Sequence, residues 1–271
     1  MGAAREGAAV VVNDIDLEEA EKVAAEIAAE GGRAVTSGAS VADWDSAGEL
    51  VQGCVDEFGS LDGFVNNAVR YTFFGPFWEE DGESIRSSVE VNVMGALFCG
   101  AHALRQMVKQ GSGSLVNVSS RLMMGMPGMG AYCSAKGALA SVTYSQAMDA
   151  MPHNVRVNAF GPAGQTRGHE MGAKYAGFAK SVAESPDLCA AGIVFLLSDL
   201  SEGITGQVVV QLGRKLGLMR RPEMLEKVFE QDEWTAQEIA EKFDIEFPDL
   251  LQPIGITGSE YSWNPAPVEA P

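Results

Sequence analysis

The chain has 271 residues, enough for one large core, and 46% of them are hydrophobic, which is ordinary for a globular protein. Its 37 acidic against 19 basic residues give a net charge of −18, which argues against nucleic acid as a partner because phosphate binding needs a basic face. No apolar run reaches membrane-spanning length, the first ten residues carry no secretory pattern, and four scattered cysteines point to a reduced cytoplasmic setting. His102, His153 and His169 show no ligand spacing, so no metal site is expected.

In chain order, AAVVVND (8–14) is a buried-strand run, and residues 17–32 read as a helix with Asp16 as N-cap and Gly31–Gly32 as its stop. RAVTSGA (33–39) is a strand, a helix runs from about Asp43 to Phe58, and DGFVNNA (62–68) is a strand. A long helix covers Glu83–Lys109, followed by the strand SLVNVSS (114–120) and a helix over Tyr132–Met151. NVRVNAF (154–160) is a strand, Pro186–Leu200 a helix and GQVVVQL (206–212) the last strand. Repeated strand–helix–strand units with apolar strands imply an α/β fold, a doubly wound parallel sheet with helices on both faces. Residues 1–220 form this domain, and 221–271 an acidic extension with two short helices in 222–243 and a Pro-rich tail. Arg167–Glu184 is poorly periodic and reads either as a lid or as a short surface helix.

Tyr132-Cys-Ser-Ala-Lys136 carries the clearest chemistry. Tyr and Lys at i and i+4 share one helix face, and an ammonium beside a phenol favours the phenolate, bringing its titration towards neutrality. Such a phenol serves as base towards an alcohol or as acid towards a carbonyl. A serine at a strand end twelve or thirteen residues earlier could hydrogen-bond the same substrate oxygen. A Tyr/Lys pair alone is more often surface decoration, so its company decides.

That company resembles the short-chain dehydrogenase/reductase family. SLVNVSSRLMMGMPGMGAYCSAKGAL resembles the family's active-site stretch, and LDGFVNNA (61–68), VNVMG (91–95), NVRVNAFGP (154–162) and ITGQVV (204–209) follow in family order over residues 5–220. The resemblance implies a Rossmann-like fold, with Tyr132 as acid/base, Lys136 binding the nicotinamide ribose and lowering the Tyr132 pKa, and Asn92 ordering a relay water. For the serine it leaves Ser119 and Ser120, of which Ser120 is preferred from its place at the strand end. Asp14 resembles the carboxylate that binds adenosine ribose hydroxyls and repels a 2′-phosphate, which favours NAD over NADP. Ser40, Val41, Asn67, Ala68, Pro162 and Thr166 occupy the remaining cofactor positions by the same resemblance.

The chain also departs from the family. The first strand and TGxxxGxG loop are lacking, and MGAAREG resembles the end of the helix that follows them. A start codon assigned too late is the simpler account, natural shortening the other. Without that strand, strands 8–14 and 62–68 lose a shared neighbour, unless they close onto one another. Val69 stands where the family has glycine, and its bulk in a packed site is the most serious local departure.

Two functions stay open. One is an NAD-dependent oxidoreductase interconverting a secondary alcohol and a ketone, with an apolar substrate of lipid, steroid or acyl-thioester type suggested by Met123, Met124, Met126 and Met129. The other is a non-catalytic subunit in a hetero-oligomer with an active relative. The resemblance implies an oligomer, of like or unlike subunits, in either case.

Overall fold

The structure, a computed structural model, describes residues 1–163, 185–252 and 254–255. The chain forms two compact units, Met1–Met219 and Arg220–Pro271. The first begins with a short helix α1 (Gly2–Arg5), then β1 (Ala9–Asn13), α2 (Leu17–Ala29), β2 (Arg33–Ser37), α3 (Trp44–Phe58) and β3 (Gly63–Asn66). It continues through α4 (Gly82–Val89), α5 (Gly95–Gln110), β4 (Gly113–Val118), α6 (Gly130–Ala150) and β5 (Val155–Ala163). Helix α7 (Asp187–Leu197), β6 (Val208–Leu212) and β7 (Lys215–Met219) complete it.

The helix starts follow from their caps. The Asp16 carboxylate accepts from Glu19 N–H, Asp43 from Ser46 N–H and Asp81 from Ser84 N–H, each satisfying an orphan donor of the first turn. Neighbouring residues of one strand feed opposite cores because side chains alternate. On one face of β4, Leu115 packs with Val51, Ala103, Met107, Ala147 and Val157, beneath α3, α5 and α6. On the other, Val116 packs with Phe160, Cys189, Leu196 and Val209, beneath α7. Each buried aliphatic side chain contributes roughly 1.5–3 kcal/mol.

The strands form two separate sheets. β1 and β2 pair in parallel as a two-stranded ladder, and β3-β4-β5-β6-β7 form a five-stranded sheet. No ladder joins β1 to β3, so the closure of those two strands onto one another does not occur. What bridges them is helix packing. A Cβ at Gly95 would lie 2.8 Å from Val41 Cγ2, so α5 meets the segment after β2 only because residue 95 is glycine. Nearby, Trp44 of α3 packs edge-on against Phe98 (5.3 Å between centroids) and against His102 (4.3 Å) of α5.

Three expectations need correction. GQVVVQL is not the last strand, since β7 turns back antiparallel onto β6 across Gly213 (φ 59°) and Arg214. The helix expected over Glu83–Lys109 is interrupted by a π-helical turn at Glu90–Met94. The segment 222–243 holds one helix rather than two, α8 (Ala236–Glu246), started by a reciprocal Thr235–Glu238 capping box. This second unit also gathers Phe229, Phe243 and Phe247, with Lys242 Nζ 4.5 Å from the Phe229 ring centre. The lid or surface-helix segment Arg167–Glu184, the Pro-rich tail and Thr166 lie outside the described residues. Among the described residues no helix is long and apolar enough to cross a membrane.

Candidate active site

At the carboxyl end of β4 the two adjacent serines go to different partners. Ser119 Oγ donates to the Lys136 carbonyl at 2.7 Å and so ties the strand end to α6. Ser120 starts a short 3₁₀ turn, its Oγ accepting from Leu122 N–H at 3.2 Å, and its hydroxyl also interacts with that of Tyr132.

Lys136 is 2% exposed, and its Nζ donates to the Val118 carbonyl at 2.6 Å, 5.6 Å from the centre of the Tyr132 ring. Burial brings the ammonium down from the ordinary 10.5 to about 8. Tyr132 is not brought towards neutrality as the i, i+4 spacing suggested. Burial holds its phenol above the ordinary tyrosine range, and charge repulsion and hydrogen bonding from Tyr71 act in the same direction. The Ser120 hydroxyl opposes them, and the Cys133 thiol adds a smaller upward push. Desolvation of the charged form is the largest of these influences.

Asn92 is 1% exposed and sits in the π-helical turn, a distortion frequent at functional sites. Its side chain accepts from Arg70 N–H at 2.7 Å and donates to the Arg70 carbonyl at 2.9 Å and to Ser88 Oγ at 3.1 Å. The side chain expected to order a water thus clamps the backbone that follows β3.

That backbone leads into an aromatic loop to which the sequence reading gave no role. Tyr71 stacks on Tyr132 (4.9 Å between centroids, 21° between planes) and on Phe74 (5.9 Å, 17°). Leu122, Met126, Met129 and Cys133 complete the cluster. The signal was there to find: Tyr71, Phe73, Phe74, Phe77 and Trp78 crowd between a strand end and the cap Asp81. The four methionines do not form one wall. Met126 and Met129 join the Tyr132 cluster, Met123 packs against Ala140, Ala159 and Val208, and Met124 is exposed.

The remaining expected residues lie at strand ends. Asp14 is exposed, with Oδ1 accepting from Asp16 N–H at 3.0 Å, while Asp16 caps α2. Asn13 holds Ala39 by reciprocal hydrogen bonds of 3.0 Å, which fixes the path into Ser40 and Val41. Asn67 and Ala68 are exposed, and Val69 is 41% exposed. Pro162 is partly buried near the end of β5.

The family model for short chain dehydrogenases matches residues 1–174. The chain belongs to the short-chain dehydrogenase family. This oxidoreductase is 34% identical over 219 residues to cis-4-hydroxycyclohexanecarboxylate dehydrogenase of Sinomonas cyclohexanicum, across 76% of this chain and 86% of that one. A crystal structure of a short chain dehydrogenase from Mycobacterium avium superposes with a TM-score of 0.78 at 31% identity, covering 89% of this chain and 87% of that one. NAD+-bound xylitol dehydrogenase gives 0.72 at 28% identity, covering 78% and 92%.

In this short-chain dehydrogenase the residues present suit two parts of a dinucleotide. An exposed carboxylate at the end of β1 matches ribose hydroxyls, and a buried amine beside a phenol matches the nicotinamide end.

Proposed function

We propose that this short-chain dehydrogenase interconverts a secondary alcohol and a ketone with NAD, using Ser120, Tyr132, Lys136 and Asn92. The observation carrying the reading is that the buried Lys136 amine lies 5.6 Å from the centre of the Tyr132 ring, with the Ser120 hydroxyl acting on the same phenol. Two hydroxyls can then meet one substrate oxygen, Ser120 by donating a hydrogen bond and Tyr132 by transferring the proton. A phenol held in its protonated form can deliver that proton to a carbonyl oxygen, and its phenolate can take one from an alcohol. Lys136, brought by burial to about 8, remains largely charged at neutral pH. When bound, the nicotinamide supplies or accepts the hydride. Asp14, Ser40 and Val41 would hold the adenosine end, Asn67, Ala68 and Pro162 the middle, and Lys136 the nicotinamide ribose; Thr166 is assigned here by resemblance alone. The Asp14 carboxylate favours NAD over NADP.

For the substrate we propose an apolar secondary alcohol or ketone on a ring-sized group. Tyr71, Phe74, Met126 and Met129 around Tyr132 support it, as does the alicyclic alcohol in the name of the Sinomonas relative. The protein is placed in the cytoplasm, consistent with four free cysteines, and in an oligomer, to which Met148 and Met151 on and beside α6 offer exposed apolar surface. Residues 1–220 are assigned the dehydrogenase fold and 221–271 the extension.

The test is incubation with NAD+ and a series of cyclic and linear secondary alcohols, following NADH by absorbance. Turnover is expected, saturating with NAD+ and differing among the alcohols. Absence of turnover for every alcohol, and of NADH oxidation by the matching ketones, would favour the non-catalytic subunit. The lack of a ladder between β1 and β3 is the observation that keeps this second reading.

A further inference from the structure

The aromatic loop after β3 is held at both ends. At its start, Asn92 grips Arg70 through both the N–H and the carbonyl. Further along, Gly75 N–H donates to the Gly128 carbonyl at 3.0 Å, and Phe77 lies against Gly130 at the start of the helix that carries Tyr132. Between these anchors Tyr71 is stacked between Phe74 and Tyr132. Its hydroxyl interacts with that of Tyr132, on which Ser120 also acts. Offset aromatic stacks contribute about 0.5–1.5 kcal/mol beyond burial.

We propose that Tyr71 is a positioning residue for Tyr132. Its ring and hydroxyl, set in place by Asn92 through the backbone of Arg70, fix where Tyr132 presents its proton. The proposal rests on the dehydrogenase reading and gives Asn92 a task its side-chain contacts support, namely holding Tyr71. A residue that merely lined the pocket would need the ring alone. The hydroxyl is what distinguishes the two.

The groups facing Tyr132 are Tyr71, the Ser120 hydroxyl, the Lys136 amine and the Cys133 thiol. Facing Tyr71 are Tyr132 and the Phe74 ring, with Burial the dominant influence on its phenol and Tyr132 acting to lower its titration midpoint. Coupling of this kind is reciprocal. The experiment titrates protein carrying 13C at the tyrosine Cζ by NMR, comparing wild type with Tyr71→Phe, Tyr132→Phe and Asn92→Ala, and measures kcat and KM against pH.

In Tyr132→Phe the Tyr71 midpoint is expected to rise by about one pH unit, a tenfold change in ionisation, because a donor to its phenolate is lost. Asn92→Ala should shift the Tyr71 midpoint in the same direction. Tyr71→Phe, which keeps the ring, should move the pH profile of kcat with little change in the alcohol KM. A Tyr71 midpoint unchanged in Tyr132→Phe overturns the proposal whether or not the protein is active. So does an unmoved kcat profile in an active Tyr71→Phe enzyme. Coupled midpoints without turnover by wild type overturn the dehydrogenase reading and leave the pairing of the two phenols supported.

Discussion

Replacing Lys136 with methionine should stabilise the protein near neutral pH and lose that advantage in base. The amine is fully buried, donates to one carbonyl, and is brought from 10.5 to about 8 by desolvation. An amine whose folded midpoint lies below its unfolded one binds fewer protons when folded, so stability rises with pH between about 8 and 10.5. That interval corresponds to ~3 kcal/mol of strain on the folded state near neutrality, falling to under ~1 kcal/mol near pH 10. Methionine has similar volume and no charge, and forfeits one hydrogen bond of ~1 kcal/mol. Lys136→Met is therefore expected to be more stable than wild type by ~2 kcal/mol at about pH 7, and level with it or weaker near pH 10. Urea unfolding of both proteins across this range measures the difference directly, and the other titrating groups cancel in the comparison. A stability difference that stays flat from neutral to alkaline pH would refute the reasoning, because it would mean that burial does not penalise the charged amine.

Three other outcomes are expected. Tyr132→Phe should abolish turnover while leaving NADH affinity, measured by calorimetry, nearly unchanged; retained turnover would remove the phenol from its proposed role. Asn117→Ala should lower stability by about 2–3 kcal/mol in urea titrations. It leaves the buried Asn66 amide, which donates to Asn117 Oδ1 at 2.8 Å, with only its bond to the Ala96 carbonyl, and also breaks the links to Thr143 and Gln146. Asp14→Ser should raise the NADP+ over NAD+ ratio of kcat/KM about tenfold, the Coulomb effect of removing one exposed carboxylate near a phosphate, read by initial rates with each cofactor.

Much of the fold was legible because its determinants are local. Asp16 and Asp43 announce helix starts by their offset from the first apolar residues, and the apolar runs 9–13 and 155–160 are strands, the second largely buried and the first, expected to be buried, only partly so. The π turn at Glu90–Met94 was not legible, since its apolar pattern continues that of the helices on either side. Strand β7 is a mostly exposed edge whose LGL core lacks β-branched residues, and the Gly213-Arg214 hairpin was its only local signal. At the site, the neighbourhood of Ser120, Tyr132 and Lys136 could be drawn from spacing. The stack of Tyr71 on Tyr132 could not, because it joins positions 61 residues apart through a loop without periodicity. The charge state of Tyr132 was misjudged for a related reason: an ammonium four residues away is visible in sequence, whereas the depth at which both groups sit is not.

The division into two ladders has a consequence for cofactor reach. Asp14 rides at the end of one ladder and Tyr132 packs against the other, so no continuous run of strand hydrogen bonds sets the span between them. That span is set instead by Val41 seated on Gly95 and by Trp44 wedged against Phe98 and His102. On the proposed reading, a helix–helix contact acts as the screw of a caliper that would span the cofactor. A bulkier residue at position 95 would then change the gauge while leaving the Asp14 and Tyr132 side chains themselves unaltered.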